Sequence, residues 1–257
     1  MAALGIAAIA TFEFQSHLVF PVHAVPRAGP LPRGAERLSV RTPDGHSLVG
    51  IRIPPNEPDS GRTLILGFGG NAWNGQDVAE YLHELFPDHE VVTFHYRGYQ
   101  PSTGSPSAQA LIADAPLVYD AAVDRTKPTR VIAIGFSIGT GIAAQLSASR
   151  KLDGLILVTP FDSLKAVAQS MYPWIPIGPL FAHEIDAAGP LRKSHVPVAI
   201  IGAERDQIVP RERTAALRRV VPDLVYDRTI ARAGHNDIYT RSDFQEAMRE
   251  ALATVTR

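Results

Sequence analysis

From Thr63 onward the chain alternates short apolar runs of strand character with longer runs of helical spacing, and no other feature constrains its fold as much. Thr63 to Phe68, Glu90 to Phe94, Arg130 to Gly135, Gly154 to Thr159, Pro197 to Gly202 and Leu224 to Ile230 read as strands. Val78 to Phe86, Ala108 to Val123, Gly141 to Ser149, Glu212 to Val220 and Phe244 to Val255 read as helices. Strands that are apolar on both faces, separated by amphipathic helices, imply an α/β fold: a mostly parallel central sheet flanked by helices on both faces. In such sheets ligands sit outside the carboxyl ends of the strands. Ahead of this core, Leu38 to Arg41 and Leu48 to Ile53 flank Pro43-Asp44-Gly45, the chemistry of a turn, and predict an antiparallel hairpin.

The length of 257 residues and a 45% hydrophobic content suit one large domain, and no internal repeat is visible. The chain divides into an N-terminal arm, 1–34, and a single domain, 35–257, with a short cap inserted at about 160–190. A net charge of −1 with dispersed Lys and Arg leaves no electrostatic footprint for nucleic acid. The absence of Cys excludes disulfides and a thiol nucleophile and leaves the compartment open. Met1 to Phe12 is almost wholly apolar, too short to span a bilayer, and followed by Glu13. It reads as a helix docked on the domain, with a remnant membrane anchor and a signal peptide as the alternatives. Leu18-Val19-Phe20-Pro21 reads as a short strand or turn that docks the arm.

Gly135-Phe136-Ser137-Ile138-Gly139 joins one of the strands to one of the helices. A serine on a sharp strand-to-helix turn exposes its hydroxyl, and small residues two positions away on either side let the helix fold back against the strand. The first N–H groups of the new helix then point at one region, where a developing oxyanion would find donors. With 20 Gly and 14 Ser in the chain, chance supplies roughly 0.1 such matches, so context must decide; the plain alternative is a Gly-rich turn packing a helix on a sheet.

A serine hydroxyl needs a general base and a group to orient that base. Asp206 lies beyond the strand ending at Gly202, and His235 lies in Ala233-Gly234-His235-Asn236-Asp237 beyond the last strand. Each alone reads as a cap, a turn former or a surface loop residue. Together with Ser137 they put three such groups at three carboxyl-terminal strand ends. Glu204 and, more distantly, Asp162 compete with Asp206 for the acidic role.

The motifs in order are Phe68-Gly69-Gly70-Asn71-Ala72, Tyr96-Arg97-Gly98-Tyr99 with Ser102-Thr103-Gly104-Ser105-Pro106, Gly135-Phe136-Ser137-Ile138-Gly139, Thr159-Pro160-Phe161-Asp162-Ser163, Asp206-Gln207-Ile208-Val209-Pro210 and Gly234-His235-Asn236-Asp237. On these the chain resembles the α/β-hydrolase superfamily, and within it the serine hydrolases related to the serine aminopeptidase and prolyl-oligopeptidase-like groups. The resemblance runs from about Leu18 to the C-terminus and matches that family's order of Ser, then Asp, then His. It implies a carboxylesterase-like serine hydrolase acting on ester or thioester substrates through an acyl-enzyme, with backbone donors at Ile138 and Asn71. It implies no metal and no organic cofactor. A non-catalytic binding protein, an acyltransferase and a peptidase are the alternatives on the same site. Such proteins usually carry His-Gly-Asn where this chain has Gly69-Gly70-Asn71, which puts the support of that loop in question.

Phe161, Met171, Tyr172, Trp174, Ile175 and Phe181 follow the Gly154 to Thr159 strand, where hydrolases of this fold insert a cap; Phe161, Met171, Tyr172 and Trp174 are the candidate substrate-binding residues. Core packing is the competing account of the same residues. So small a cap predicts an open site suited to short esters. A small ester or acyl molecule is the expected partner, nucleic acid is not, and membrane association through the N-terminus, oligomeric state and localisation stay open.

Overall fold

The computed structural model describes residues 15–57, 62–174 and 181–257; Met1 to Phe12 and Ile175 lie outside them. Eight strands form one sheet: β1 (Glu36–Arg41), β2 (Ser47–Ile53), β3 (Thr63–Phe68), β4 (Glu90–Phe94), β5 (Arg130–Phe136), β6 (Gly154–Val158), β7 (Val198–Ala203) and β8 (Leu224–Ile230). Their spatial order is β1-β2-β4-β3-β5-β6-β7-β8. The β1–β2 hairpin runs antiparallel, with Glu36 opposite Arg52 and Arg41 opposite Ser47, and β2 pairs antiparallel with β4. All remaining pairs are parallel. Gly45 turns the hairpin at φ +89°, a conformation that a side chain would strain.

Burial follows position in the sheet. Every residue of β3, β6 and β7 is buried, whereas edge strands β1 and β8 alternate between more and less exposed residues. A central parallel strand is covered on both faces and an edge strand is not, so the first reads as a continuous apolar run and the second as an alternation. The connecting helices are α1 (Gly75–Leu85), α2 (Ala108–Thr126), α3 (Ile138–Ser147), α4 (Leu164–Met171), α5 (Ala188–Leu191), α6 (Arg211–Arg218) and α7 (Ser242–Val255). Leu64 and Leu66 of β3 face one core with Leu111 and Val118 of α2 and Ile142 of α3. Ile65 between them faces a second core with Val78 and Leu82 of α1 and Phe244 and Met248 of α7. The period-two alternation of a strand thus supplies both layers.

Helix ends move outward from the sequence expectation where polar chemistry decides them. Asn74 accepts a hydrogen bond from the Asp77 N–H (2.9 Å), so α1 begins at Gly75 rather than Val78. Lys127 takes a left-handed conformation (φ 47°) and ends α2 three residues beyond Val123. The arm differs in kind. Residues 15–19 are helical, closed by Phe20 N–H donating to Ser16 O (2.8 Å), and Val22–Ala24 form a 3-10 turn where a short strand or turn over Leu18 to Pro21 is the sequence reading. The β-prone pair Val19-Phe20 is overridden by burial of Phe20 in the core. No described helix is long and apolar enough to cross a membrane.

The chain leaves β3 for β4 on one side and returns across β3 to β5 on the other. This makes the crevice beyond the carboxyl ends of β3 and β5 the switch point of the sheet, the place where such folds bind ligands. Ser137 follows β5 there, and Gly69 to Asn71 follow β3.

Candidate active site

Ser137 has φ 50° and ψ −117°, a backbone conformation that costs of order 1–3 kcal/mol and persists only where its surroundings over-determine it. The surroundings do so. The Ser137 N–H donates to Val158 O of β6 (2.9 Å), and its carbonyl accepts from the Thr140 N–H (2.9 Å) and the Thr140 hydroxyl (2.6 Å). A Cβ on Gly139 would lie 2.2 Å from Phe68 O and 2.7 Å from Gly69 O, and one on Gly135 would lie 2.5 Å from Gly139 O. Only glycine allows α3 to approach both β5 and the loop after β3.

His235 Nε2 is 2.9 Å from Ser137 Oγ, and His235 Nδ1 is 2.8 and 3.0 Å from the two Asp206 oxygens. The imidazole and carboxylate side chains are only 5% and 4% exposed, which limits competition from water. An ionised carboxylate accepts and cannot donate, so the proton on the ring belongs at Nδ1 and Nε2 is left as the acceptor for the serine hydroxyl. Asp206 Oδ1 also accepts the N–H groups of Ile208 (2.9 Å) and Val209 (2.7 Å), which hold the carboxylate in place. The loop that carries His235 is pinned by Arg205 N–H to Ala233 O (2.7 Å) and Gly234 N–H to Asp237 Oδ1 (2.6 Å).

The two rival carboxylates are engaged elsewhere. Glu204 accepts the Arg232 N–H (2.6 Å), bracing the same loop from its other side, and Asp162 faces the Arg213 guanidinium (3.5 Å).

Gly70 brings the loop after β3 against the serine: a Cβ there would lie 3.8 Å from Ser137 Cβ. Tyr96 hydroxyl donates to Gly69 O (2.8 Å), Tyr99 hydroxyl to Asn71 O (2.5 Å), and Trp73 N–H to Gly70 O (3.3 Å). Three consecutive carbonyls are thereby fixed, and with them the peptide planes that aim the N–H groups between them. Burial pushes both phenols well above their ordinary range, so they remain donors. A Cβ on Gly69 would meet Val78 Cγ2 at 2.8 Å, so a side chain does not fit as the loop stands, and its support comes instead from the two tyrosines. The role of Tyr96 and Tyr99 is not legible in the sequence, because a hydroxyl that bonds a backbone carbonyl leaves no mark on its partner's identity. Ile138 is the first residue of α3, and its N–H has no carbonyl within its own helix to donate to.

A cavity of about 940 Å³ opens on Ser137 and His235, and Asn71 and Ile138 line it. Its wall is mostly apolar: Leu18 and Val19 from the arm, and Phe161, Leu164, Val167 and Met171 from the segment after β6, are prominent. Tyr172 and Phe181 line it too; Trp174 does not, lying 75% exposed with its ring edge-on to Tyr172 at 6.0 Å. The arm, Trp73 and Tyr239 are contributors that the sequence reading passed over. Such a volume is at the upper end of the roughly 300–1,000 Å³ of small-molecule sites, larger than the short-ester site expected from the small cap. The difference arises because the arm, remote in sequence, builds one wall.

A strained serine at the switch point of a mostly parallel sheet, in line with an imidazole and a carboxylate, defines a protein of hydrolase fold. A model of the alpha/beta hydrolase fold matches residues 64–190. An uncharacterized protein of Mycobacterium tuberculosis is 31% identical over 222 residues, covering 82% of this chain and 78% of that one. The chain belongs to the α/β-hydrolase family. The lysophosphatidylserine lipase ABHD12 of Danio rerio is 32% identical over 174 residues, which cover 59% of this chain and 45% of that protein. Among solved structures, an esterase of Pyrococcus furiosus superposes with a TM-score of 0.68 at 19% identity, covering 89% of this chain and 94% of that one, a likeness of fold.

Proposed function

We propose that this protein is a serine hydrolase that cleaves carboxyl esters, thioesters included, whose acyl part is a long apolar chain. The observation that carries the reading is the line Asp206–His235–Ser137, with contacts of 2.8 and 2.9 Å, opening into a cavity of about 940 Å³ with apolar walls. His235 Nε2 takes the hydroxyl proton as Ser137 Oγ forms a bond to the ester carbonyl carbon, and the carbonyl electron pair moves onto oxygen. The N–H groups of Ile138 and Asn71 stabilise that oxyanion. Asp206 holds the imidazolium, which then gives its proton to the departing alcohol or thiol as the bond to the acyl carbon breaks. Water, deprotonated by the same imidazole, cleaves the acyl-enzyme and restores Ser137. The name of the Danio rerio relative, a lysophosphatidylserine lipase, describes an enzyme acting on a lipid ester and supports the same class of substrate.

The test is a series of p-nitrophenyl esters from acetate to palmitate. We expect kcat/KM to rise with acyl length, by up to about fourfold per methylene while the chain still fits the cavity. Ser137→Ala should lower kcat by a factor on the order of 10⁴ or more and abolish labelling by a fluorophosphonate probe. Unchanged turnover in Ser137→Ala, or a label that survives it, refutes the assignment, and a preference for acetate refutes the long acyl chain.

A further inference from the structure

Among the described residues seven large apolar side chains are exposed, and they are not spread over the surface. Leu18, Met171, Tyr172 and Ile208 line the cavity that opens on Ser137, and Trp174 packs edge-on against Tyr172. Leu18 and Trp174 are the most open, at 61% and 75%. Only Val22, in the arm, and Val225, on the edge strand β8, lie outside this group. Exposed apolar residues scattered singly need no explanation, but a ring of them continuous with an apolar cavity marks a surface that something covers.

The sequence indicates what covers it. Residues 1–12 contain no charged side chain, and the chain that follows them enters the described structure at Gln15, itself part of the cavity wall. In sequence, a run of uncharged, mostly apolar residues therefore leads into a segment that lies at the rim. Docking on a lipid surface requires no span of the bilayer. We infer that the mouth of the cavity docks on a lipid surface, with Leu18, Met171, Tyr172, Trp174 and Ile208 entering its acyl region. Tyr172 and Trp174 suit that depth, since amphipathic rings collect at membrane–water interfaces. An ester drawn from the lipid then enters the cavity without its acyl chain crossing water. This rests on the reading of the cavity as an acyl site.

The test is flotation of the full chain with phosphatidylcholine vesicles on a density gradient, for the wild type and for Ser137→Ala, which keeps the rim intact. Both are expected to float, and raised salt should leave them bound. The double variant Leu18→Ser, Trp174→Ala should lower the ratio of vesicle-bound to free protein by about tenfold or more. Both of its sites are exposed, and circular dichroism checks its fold. Trp174→Ala alone should leave hydrolysis of a soluble acetate ester unchanged. Failure of the full chain to float overturns the proposal. So does flotation that the double variant leaves unchanged, which would assign binding to residues 1–12 or another face. Concentration-dependent self-association that the double variant abolishes, without flotation, would give the rim to a second copy of the chain and overturn it as well. Flotation needs no chemistry: protein that floats as expected but turns over no ester keeps the docking surface and loses the hydrolase reading, and the converse pattern separates them the other way.

Discussion

Ser137 occupies a backbone conformation that no ordinary residue prefers, and the site is built from the contacts that keep it there. Two of these are absences of a side chain, at Gly135 and Gly139, where a Cβ would drive into backbone at 2.5 and 2.2 Å. Two others are hydroxyls, Tyr96 and Tyr99, which hold the carbonyls of Gly69 and Asn71 on the far side of the serine. Tyr96→Phe leaves the Gly69 carbonyl without this donor at a cost of roughly 1–3 kcal/mol. Where that cost is met by rotation of the Gly69–Gly70 peptide plane, the adjoining Gly70–Asn71 plane, which carries the Asn71 N–H, loses its setting. We expect kcat on a medium-chain ester to fall by about tenfold with KM little changed, because a misdirected oxyanion donor is felt in the transition state and not in substrate binding. Steady-state kinetics decides it: a kcat within twofold of wild type would remove Tyr96 from the support of the loop. Ser137, Asp206 and His235 could be singled out in the sequence because each stands beyond the end of a strand, Ser137 with a glycine two residues away on either side and His235 next to Gly234. Tyr96 and Tyr99 could not, since their partners are backbone atoms.

The arm shows how an element can be given its place by the residues it touches. Gln15 Oε1 accepts the Ala182 N–H (3.0 Å), Ser16 Oγ lies 2.8 Å from His183 Nε2, and Val19 O accepts Asn71 Nδ2 (3.3 Å). Phe20 is buried with its ring at 88° to the His183 imidazole, 5.3 Å away. The helical residues 15–19 are therefore clamped between residues 182–183 and the loop after β3, and Leu18 and Val19 face the cavity. His183→Ala removes a partner of Ser16, the edge contact of Phe20 and the acceptor of the Ala108 N–H (3.5 Å) together, loosening one wall without touching Ser137 or His235. KM for a palmitoyl ester should rise about five- to tenfold, while kcat/KM for the acetate ester, too short to reach the wall, should stay within twofold. An equal loss on both substrates would show that His183 supports the fold at large and not the wall. In the sequence the arm reads as a docked segment, but its geometry is not legible. Val19 and Phe20 favour an extended local form, and burial of Phe20 with the clamp at residues 182 and 183 decides for a helix. For the same reason the volume of the cavity could not be read from the cap alone.

At the scale of the whole molecule, burial on two faces was legible because parallel strands covered by helices must be apolar throughout, as β3, β6 and β7 are. The order β2-β4-β3-β5 was not, since which strands neighbour one another depends on crossovers that no local pattern encodes. One consequence of closing the fold is measurable as pH-dependent stability. His95, just beyond β4, is 2% exposed, and its Nδ1 accepts the Gly75 N–H (3.1 Å) at the start of α1. Burial, followed by the field of Arg37, lowers its pKa from 6.5 to about 4. Above pH 6.5 the ring is neutral in the folded and unfolded chain alike, and it contributes no pH dependence. Between about 6.5 and 4 the unfolded chain binds a proton that the folded chain refuses, so stability falls with pH across that window by up to roughly 3 kcal/mol. Below about 4 both states are protonated and this contribution levels off. His95→Asn keeps an acceptor at the δ position for the Gly75 N–H and cannot titrate. Urea unfolding of wild type and variant at a series of pH values from about 7.5 to 4.5 should therefore give curves that diverge as pH falls, the wild type losing stability the faster by roughly 1–3 kcal/mol over the series. Parallel curves would mean that the imidazole takes up its proton inside the fold as readily as outside it, and that the junction of α1 with β4 imposes no cost on the charge.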